Sequence, residues 1–215
     1  STFESPSGRV RRCRYAPGMS RQIDFPPGAF DRVDPSDDAH FSAAPRFVVH
    51  IDWATIDALT GVYRELLPAG GEILDLMSSW VSHLPVEMTF ARVAGLGMNR
   101  VELESNPRLT DHVVHDLNSE PELPFEDESF DAVVNAVSIQ YLTRPVEVFR
   151  SVARVLRPGG IHMLALSHRC FPTKAIRAWY ALGPAERLQL VRTYFDLSDS
   201  YEEATVEDRS PSGAD

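Results

Sequence analysis

At 215 residues, 43% of them apolar, the chain is long enough for one sizeable core with appendages. A net charge of −10 argues against a general electrostatic footprint on nucleic acid, and no apolar run approaches the roughly 20 residues a membrane span needs. Two cysteines, Cys13 and Cys170, form neither a CxxC pair nor a metal spacing, which suits a reducing cytoplasm and calls for neither disulfide nor metal.

Residues 1–47 read as an arm laid over a core. They are rich in proline and glycine, as in Pro26-Pro27-Gly28, and their apolar residues come singly. Arg9, Arg11, Arg12 and Arg14 make a local basic cluster, read as a solvated tail. Asp52 then caps a helix carrying Ile56, Leu59, Tyr63 and Leu66 at helical spacing, and Pro68 with Gly70-Gly71 stops it. The division expected is an arm or lid over 1–50 and one domain over 51–215.

The stretch Glu72-Ile73-Leu74-Asp75-Leu76-Met77-Ser78-Ser79 is a buried strand that ends in an acid and breaks into small polar residues. A short helix is expected over 80–84, ended by Pro85. A second strand over 91–96 runs into Gly97-Met98-Asn99, a helix over 100–104 closes at Asn106-Pro107, and a short strand over 112–115 leads to Asp116-Leu117. Residues 130–136 are a near-continuous apolar run, as in a strand buried on both faces. Thr143-Arg144-Pro145 opens a helix, and Pro158-Gly159-Gly160 ends it. A buried strand over 161–166, helices over 173–182 and 184–194, and a weak strand over 204–208 complete the series. Strands alternating with helices predict an α/β fold, a doubly wound and mostly parallel sheet flanked by helices. The sheet is expected to be truncated, so that the flank beside the strand over 161–166 is an open edge, through which oligomers can form, or is covered by a partner or the arm.

Asp75, the Gly97 turn and Asp116 sit at the ends of three successive strands. In an open α/β sheet those ends share one crevice, the usual place for a ligand. Asp75 and Gly97 are 22 positions apart. The segment Leu123-Pro124-Phe125-Glu126-Asp127-Glu128-Ser129-Phe130-Asp131 continues through Gln140-Tyr141-Leu142 and Val155-Leu156-Arg157-Pro158-Gly159-Gly160. In this order and spacing, the chain over 70–166 resembles the class I S-adenosylmethionine-dependent methyltransferases, closest to their type 11 branch. The resemblance implies a Rossmann-like fold, S-adenosylmethionine as cofactor, and a small-molecule or lipid acceptor. It implies that Asp75 lies near the methionyl end, that Asp116 accepts a hydrogen bond from the adenine amino group, that Leu117 flanks the ring, and that Asn135 to Val137 line the floor beneath the sulfonium. With Met77, Ser78, Gly97, Met98 and Asn99, these make the expected cofactor site.

Two departures stand out. Met77 and Ser79 occupy places where the family has glycines, and Gly97 stands where it has a ribose-binding acid, with Asn99 as a weaker substitute acceptor. No catalytic residue is assigned. His83, Tyr141 and His168 are candidates for a general base if the acceptor carries a proton. The arm is expected to pack over the pocket mouth, anchored by Phe41, Phe47 and Trp53, with Arg46 and His50 facing the cofactor carboxylate or the acceptor. A methyltransferase fold that binds without turnover is the alternative. A nicotinamide enzyme is disfavoured by the missing G-x-G-x-x-G.

Overall fold

The computed structural model describes residues 25–167, 169–202 and 204–211. Among these residues five strands form one parallel sheet: β1 (Glu72–Leu76), β2 (Arg92–Gly97), β3 (Asp111–Val114), β4 (Phe130–Ala136) and β5 (Leu156–Ala165). Their order is β3-β2-β1-β4-β5, so the winding reverses at β1. That reversal opens a crevice beyond the carboxyl end of β1, between β2 and β4.

Among the described residues six helices accompany the sheet: α1 (Asp38–Ser42), α2 (Trp53–Leu66), α3 (Arg100–Glu104), α4 (Pro145–Val155), α5 (Arg177–Ala181) and α6 (Pro184–Ser198). Side chains alternate across a strand, and the buried residues follow that period. Ile73 joins Val93, Ala132 and Val134 on the face covered by Tyr63 and Leu67 of the α2 region. Leu74, Leu76 and Val133 join Phe149, Val152, Trp179 and Tyr194 on the face covered by α4, α5 and α6. Burying each large apolar side chain contributes about 1.5–3 kcal/mol, so both layers are needed to hold a sheet apolar on two sides. Asp52 caps α2 by accepting from Thr55 N at 2.9 Å, and Pro145 begins α4 where its missing N–H costs nothing.

Several expectations are corrected. Residues 80–84 form no helix: His83 has φ 54°, and Asn106 Nδ2 donates to Ser79 O and Ser82 Oγ, both at 2.8 Å. These long-range bonds outcompete the local helical spacing. The helix over 173–182 shrinks to α5, because Lys174 and Ala175 are held in a turn on Phe171 O. β5 begins directly at Leu156, and a register shift between Phe130 and Ala132 of β4 absorbs Pro158-Gly159-Gly160. Residues 204–208 form no strand. That segment crosses from α6, where Arg192 donates to Ala204 O, to α2, where Arg209 pairs with Glu65. The arm is not loop throughout, since Asp37 caps α1. Trp53 does not anchor it, being 74% exposed, and Phe47 is 51% exposed although it meets Trp80 edge-on. The basic cluster Arg9, Arg11, Arg12 and Arg14, with Cys13, lies outside the described residues, as does His168.

No helix among the described residues is long and apolar enough to cross a membrane.

Candidate functional site

A cavity of about 310 Å³ lies beyond the carboxyl ends of β1, β2 and β4. Asp75, Met77, Ser78, Gly97, Met98, Asn99, Asp116 and Leu117 all line it. Asn135 does not. Its side chain is fully buried and donates to Leu76 O at 3.1 Å, tying β4 to the end of β1 from behind the cavity wall.

The β1 turn shapes one wall. Asp75 is 4% exposed and accepts from Ser78 Oγ at 2.6 Å. Burial lifts its carboxyl to about 6, against the lowering effect of the Ser78 and Ser82 hydroxyls. Met77 follows at φ 58°, in the left-handed region that suits glycine. Ser78 N donates to Leu96 O at 2.7 Å, which draws the turn against β2. A Cβ at Gly97 would lie 2.2 Å from Ser78 O, so the turn occupies the space that a side chain at 97 would need. His83 (φ 54°) and Val137 (φ 49°) are strained in the same way and line the same cavity. For β-branched Val137 this conformation is a marked outlier, and such strain gathers where function fixes the backbone.

The strain at Met77 makes a stability order measurable. Met77→Ala keeps the left-handed backbone and loses side-chain contacts, whereas Met77→Gly relieves a cost of about 1–2 kcal/mol. We expect the glycine variant to be the more stable of the two by about 1 kcal/mol in urea unfolding. Alanine at or above glycine would show that the turn is not strained.

At the other end, Asp116 accepts from Asn118 N at 2.9 Å and Ser119 Oγ at 2.7 Å. It is thus a turn residue as well as a cavity residue, and its oxygens keep further lone pairs. Asn99 Oδ1 caps α3 at Glu102 N.

The arm is clasped over the cavity by the same polar groups. Asn99 Nδ2 donates to Ser42 O at 2.7 Å, and Asn118 Nδ2 donates to Asp38 Oδ2 at 2.8 Å. Glu102 accepts from Arg46 N and from Ser79 Oγ, joining the arm to the β1 turn. Trp80 Nε1 donates to Val48 O at 3.0 Å. Sequence reasoning missed this clasp, because its partners lie far apart in the chain and a polar pair at long separation leaves no local signal. It also missed Phe171, whose ring contacts Phe41 (5.2 Å), His50 (5.4 Å) and Tyr141 (6.0 Å).

His83, Tyr141 and His50 line the cavity. Burial, helped by the charge of His50, lowers the pKa of His83, and burial, helped by Arg46 and opposed by Glu102, lowers that of His50, so both rings are neutral near pH 7. Tyr141 is pushed the other way by burial, and its Oη accepts from Phe171 N at 2.9 Å. Neutral imidazoles accept protons; this phenol keeps its own.

The comparisons bear on this geometry. The family model described as "Methyltransferase domain" matches residues 81–164. The match begins after the β1 turn that carries Met77 and Ser79. Methyltransferase GfsG of Streptomyces halstedii is 33% identical over 112 residues, covering 46% of this chain and 39% of that protein. Malonyl-[acyl-carrier protein] O-methyltransferase of a Marinomonas species is 28% identical over 78 residues, 36% of this chain and 29% of that protein. The chain thus spans well under half the length of these relatives. Among solved structures, the [4+2]-cyclase SpnF superposes with a TM-score of 0.50 at 21% identity, covering 73% of this chain and 66% of that one.

Proposed function

We propose that this chain, whose residues 81–164 match the methyltransferase family model and whose parallel sheet has the matching strand order, is a class I S-adenosylmethionine-dependent methyltransferase domain that binds S-adenosylmethionine in the 310 Å³ cavity and transfers its methyl group to a small-molecule or lipid acceptor. The observation that carries the proposal is the convergence of Asp75, the Gly97-Met98-Asn99 turn and Asp116-Leu117 on one cavity at the switch point of the sheet.

The lining fits the cofactor at both ends. A buried carboxylate with no basic partner among the described residues, Asp75, suits a cationic group. Asp116 suits an amino donor and Leu117 an aromatic ring. The middle fits through a different residue: Gly97 has no side chain to offer, and the carboxylate nearest in sequence that lines the cavity is Glu102, on the first turn of α3. When bound, S-adenosylmethionine supplies a methyl group on an electrophilic sulfonium. The protein's part is to bind and orient, and positioning accounts for much of such a rate gain. His83 Nδ1 or Nε2, neutral at pH 7, is the proton acceptor where the acceptor atom carries a proton. The arm over 25–50 acts as a lid on the domain that follows, its Phe41 and Arg46 closing the side opposite β1.

Binding of S-adenosylmethionine should weaken by about 1.5–3 kcal/mol in Asp116→Ala, the usual worth of a hydrogen bond to a charged group. Calorimetry with wild type and variant tests this, and equal affinities would remove Asp116 from the site. Transfer of a labelled methyl group in cell extract then identifies the acceptor.

A second reading is favoured by the closed turn at Ser78 and Gly97: the cavity binds a ligand without methyl transfer. The fold shared with a protein described as a [4+2]-cyclase supports keeping it. Binding without labelled product in any extract fraction would establish it.

A further inference from the structure

The cavity wall opposite the strand ends carries cations of two kinds. Arg32 and Lys174 are neutralised: Arg32 pairs with Asp38 at 2.7 Å, and Lys174 sits 3.1 Å from Asp34 and 3.2 Å from Asp38. Arg46 and Arg169 line the same cavity, and among the described residues neither has a carboxylate within ion-pair distance. The guanidinium of Arg46 lies 4.1 Å from the centroid of Phe41 and 5.6 Å from that of Phe171, and its Nη2 donates only to Phe41 O at 2.6 Å. Two rings therefore hold the guanidinium, leaving most of its donors unused. Arg169 stands two residues before Phe171 on the same loop and is exposed. It influences Asp52 electrostatically without pairing with it. The carboxylates of the cavity pair with neither guanidinium. Asp75 bonds Ser78, Asp116 bonds its own turn, and Glu102 bonds Arg46 N and Ser79. In a chain of net charge −10, two unpaired arginines beside an aromatic floor of Phe41, Phe171 and Tyr141 are a local inversion of sign.

We propose that this wall is an acceptor subsite that recognises a small carboxylic acid with an aromatic or apolar body, the carboxylate held between Arg46 and Arg169 and the body lying against Phe171 and Tyr141. The proposal rests on the methyltransferase reading for the word acceptor, and on the two arginines for the charge. Guanidinium donors match carboxylate geometry, and an arginine held by stacked rings loses less freedom on binding. Phe41 and Arg46 come from the arm, while Arg169 and Phe171 come from the loop after β5, so the subsite exists only with the arm in place.

Phenylacetate and phenylacetamide have nearly the same shape and differ in charge. Titrated calorimetrically into the chain, with and without S-adenosylhomocysteine, phenylacetate is expected to bind at least tenfold more tightly than the amide. Arg169→Gln, at an exposed position, and Arg46→Gln should each reduce that preference severalfold. Melting curves of both variants confirm that they are folded. Equal binding of the two probes, no binding of either, or a preference unchanged in both variants would overturn the proposal. So would variants that weaken S-adenosylhomocysteine but not phenylacetate, because the arginines would then serve the cofactor. If S-adenosylhomocysteine fails to bind wild type, the methyltransferase reading falls. The phenylacetate preference without it is a separate readout, so the two failures are distinguishable.

Discussion

Placing an aspartate at Gly97 should damage the protein rather than improve its cofactor site. The family resemblance invites the opposite expectation, since an acid at this strand end would restore a ribose partner. The structure forbids it, because the new Cβ would sit 2.2 Å from the Ser78 carbonyl oxygen, a backbone atom that cannot rotate away. Ser78 is itself held by its N–H to Leu96 O at 2.7 Å, so relief requires breaking the bond that seats the β1 turn. Gly97→Ala should cost about 2–3 kcal/mol, at the upper end of overpacking penalties. Gly97→Asp should cost more, since it adds a charge at a buried position. Denaturant unfolding of both variants measures this. An aspartate variant as stable as wild type, with tighter binding of S-adenosylmethionine, would show that the turn opens freely.

The second large effect concerns pH and Asp75. In the unfolded chain its carboxyl titrates near 3.9, and in the fold near 6 because burial disfavours the charge. Between those values the native state holds a proton that the unfolded chain has released. Stability therefore falls as pH rises through this window, by an amount on the order of 3 kcal/mol. Asp75→Asn keeps the shape without the charge. It should match wild type near pH 4 and be more stable above pH 7, by about 1–3 kcal/mol. Ligand binding should change in the opposite sense. A cationic ligand prefers the ionised carboxylate, so wild-type affinity should fall toward tenfold for each pH unit below 6, with a proton released on binding. The asparagine variant should bind weakly at every pH. A buried acid that lowers stability is what a binding site demands and a merely structural role does not. An asparagine variant less stable than wild type at pH 8 would contradict this account.

The sheet was legible because its strands are buried on both faces, and their apolar runs need no partner to be recognised. Ile73, Leu74, Val133 and Val134 announce themselves in this way. Asp75, Gly97 and Asp116 were legible for a related reason: a polar or small residue ending such a run marks the rim of the crevice. Asn135 misled, since it ends the same kind of run but turns its amide inward to Leu76 O. The helix expected over 80–84 failed because Asn106 claims Ser79 and Ser82 from more than twenty residues away. Of the three anchors expected for the arm, Phe41 and Phe47 meet rings of the domain and Trp53 does not. Phe41 finds Phe171 only in three dimensions, while Trp53 faces solvent. Of the candidate bases, neutral His83 is retained, and Tyr141 is better suited to holding the loop at Phe171.

The central claim is that the cavity at the end of β1 holds S-adenosylmethionine. The most direct measurement is the melting temperature of wild type at pH 7.5 with S-adenosylhomocysteine, with S-adenosylmethionine, and with NAD as control. Either sulfur ligand at 100 times its dissociation constant should stabilise the fold by about 2.7 kcal/mol and raise the melting temperature, while NAD leaves it unchanged. No shift with either sulfur ligand at millimolar concentration, or an equal shift with NAD, would contradict the claim.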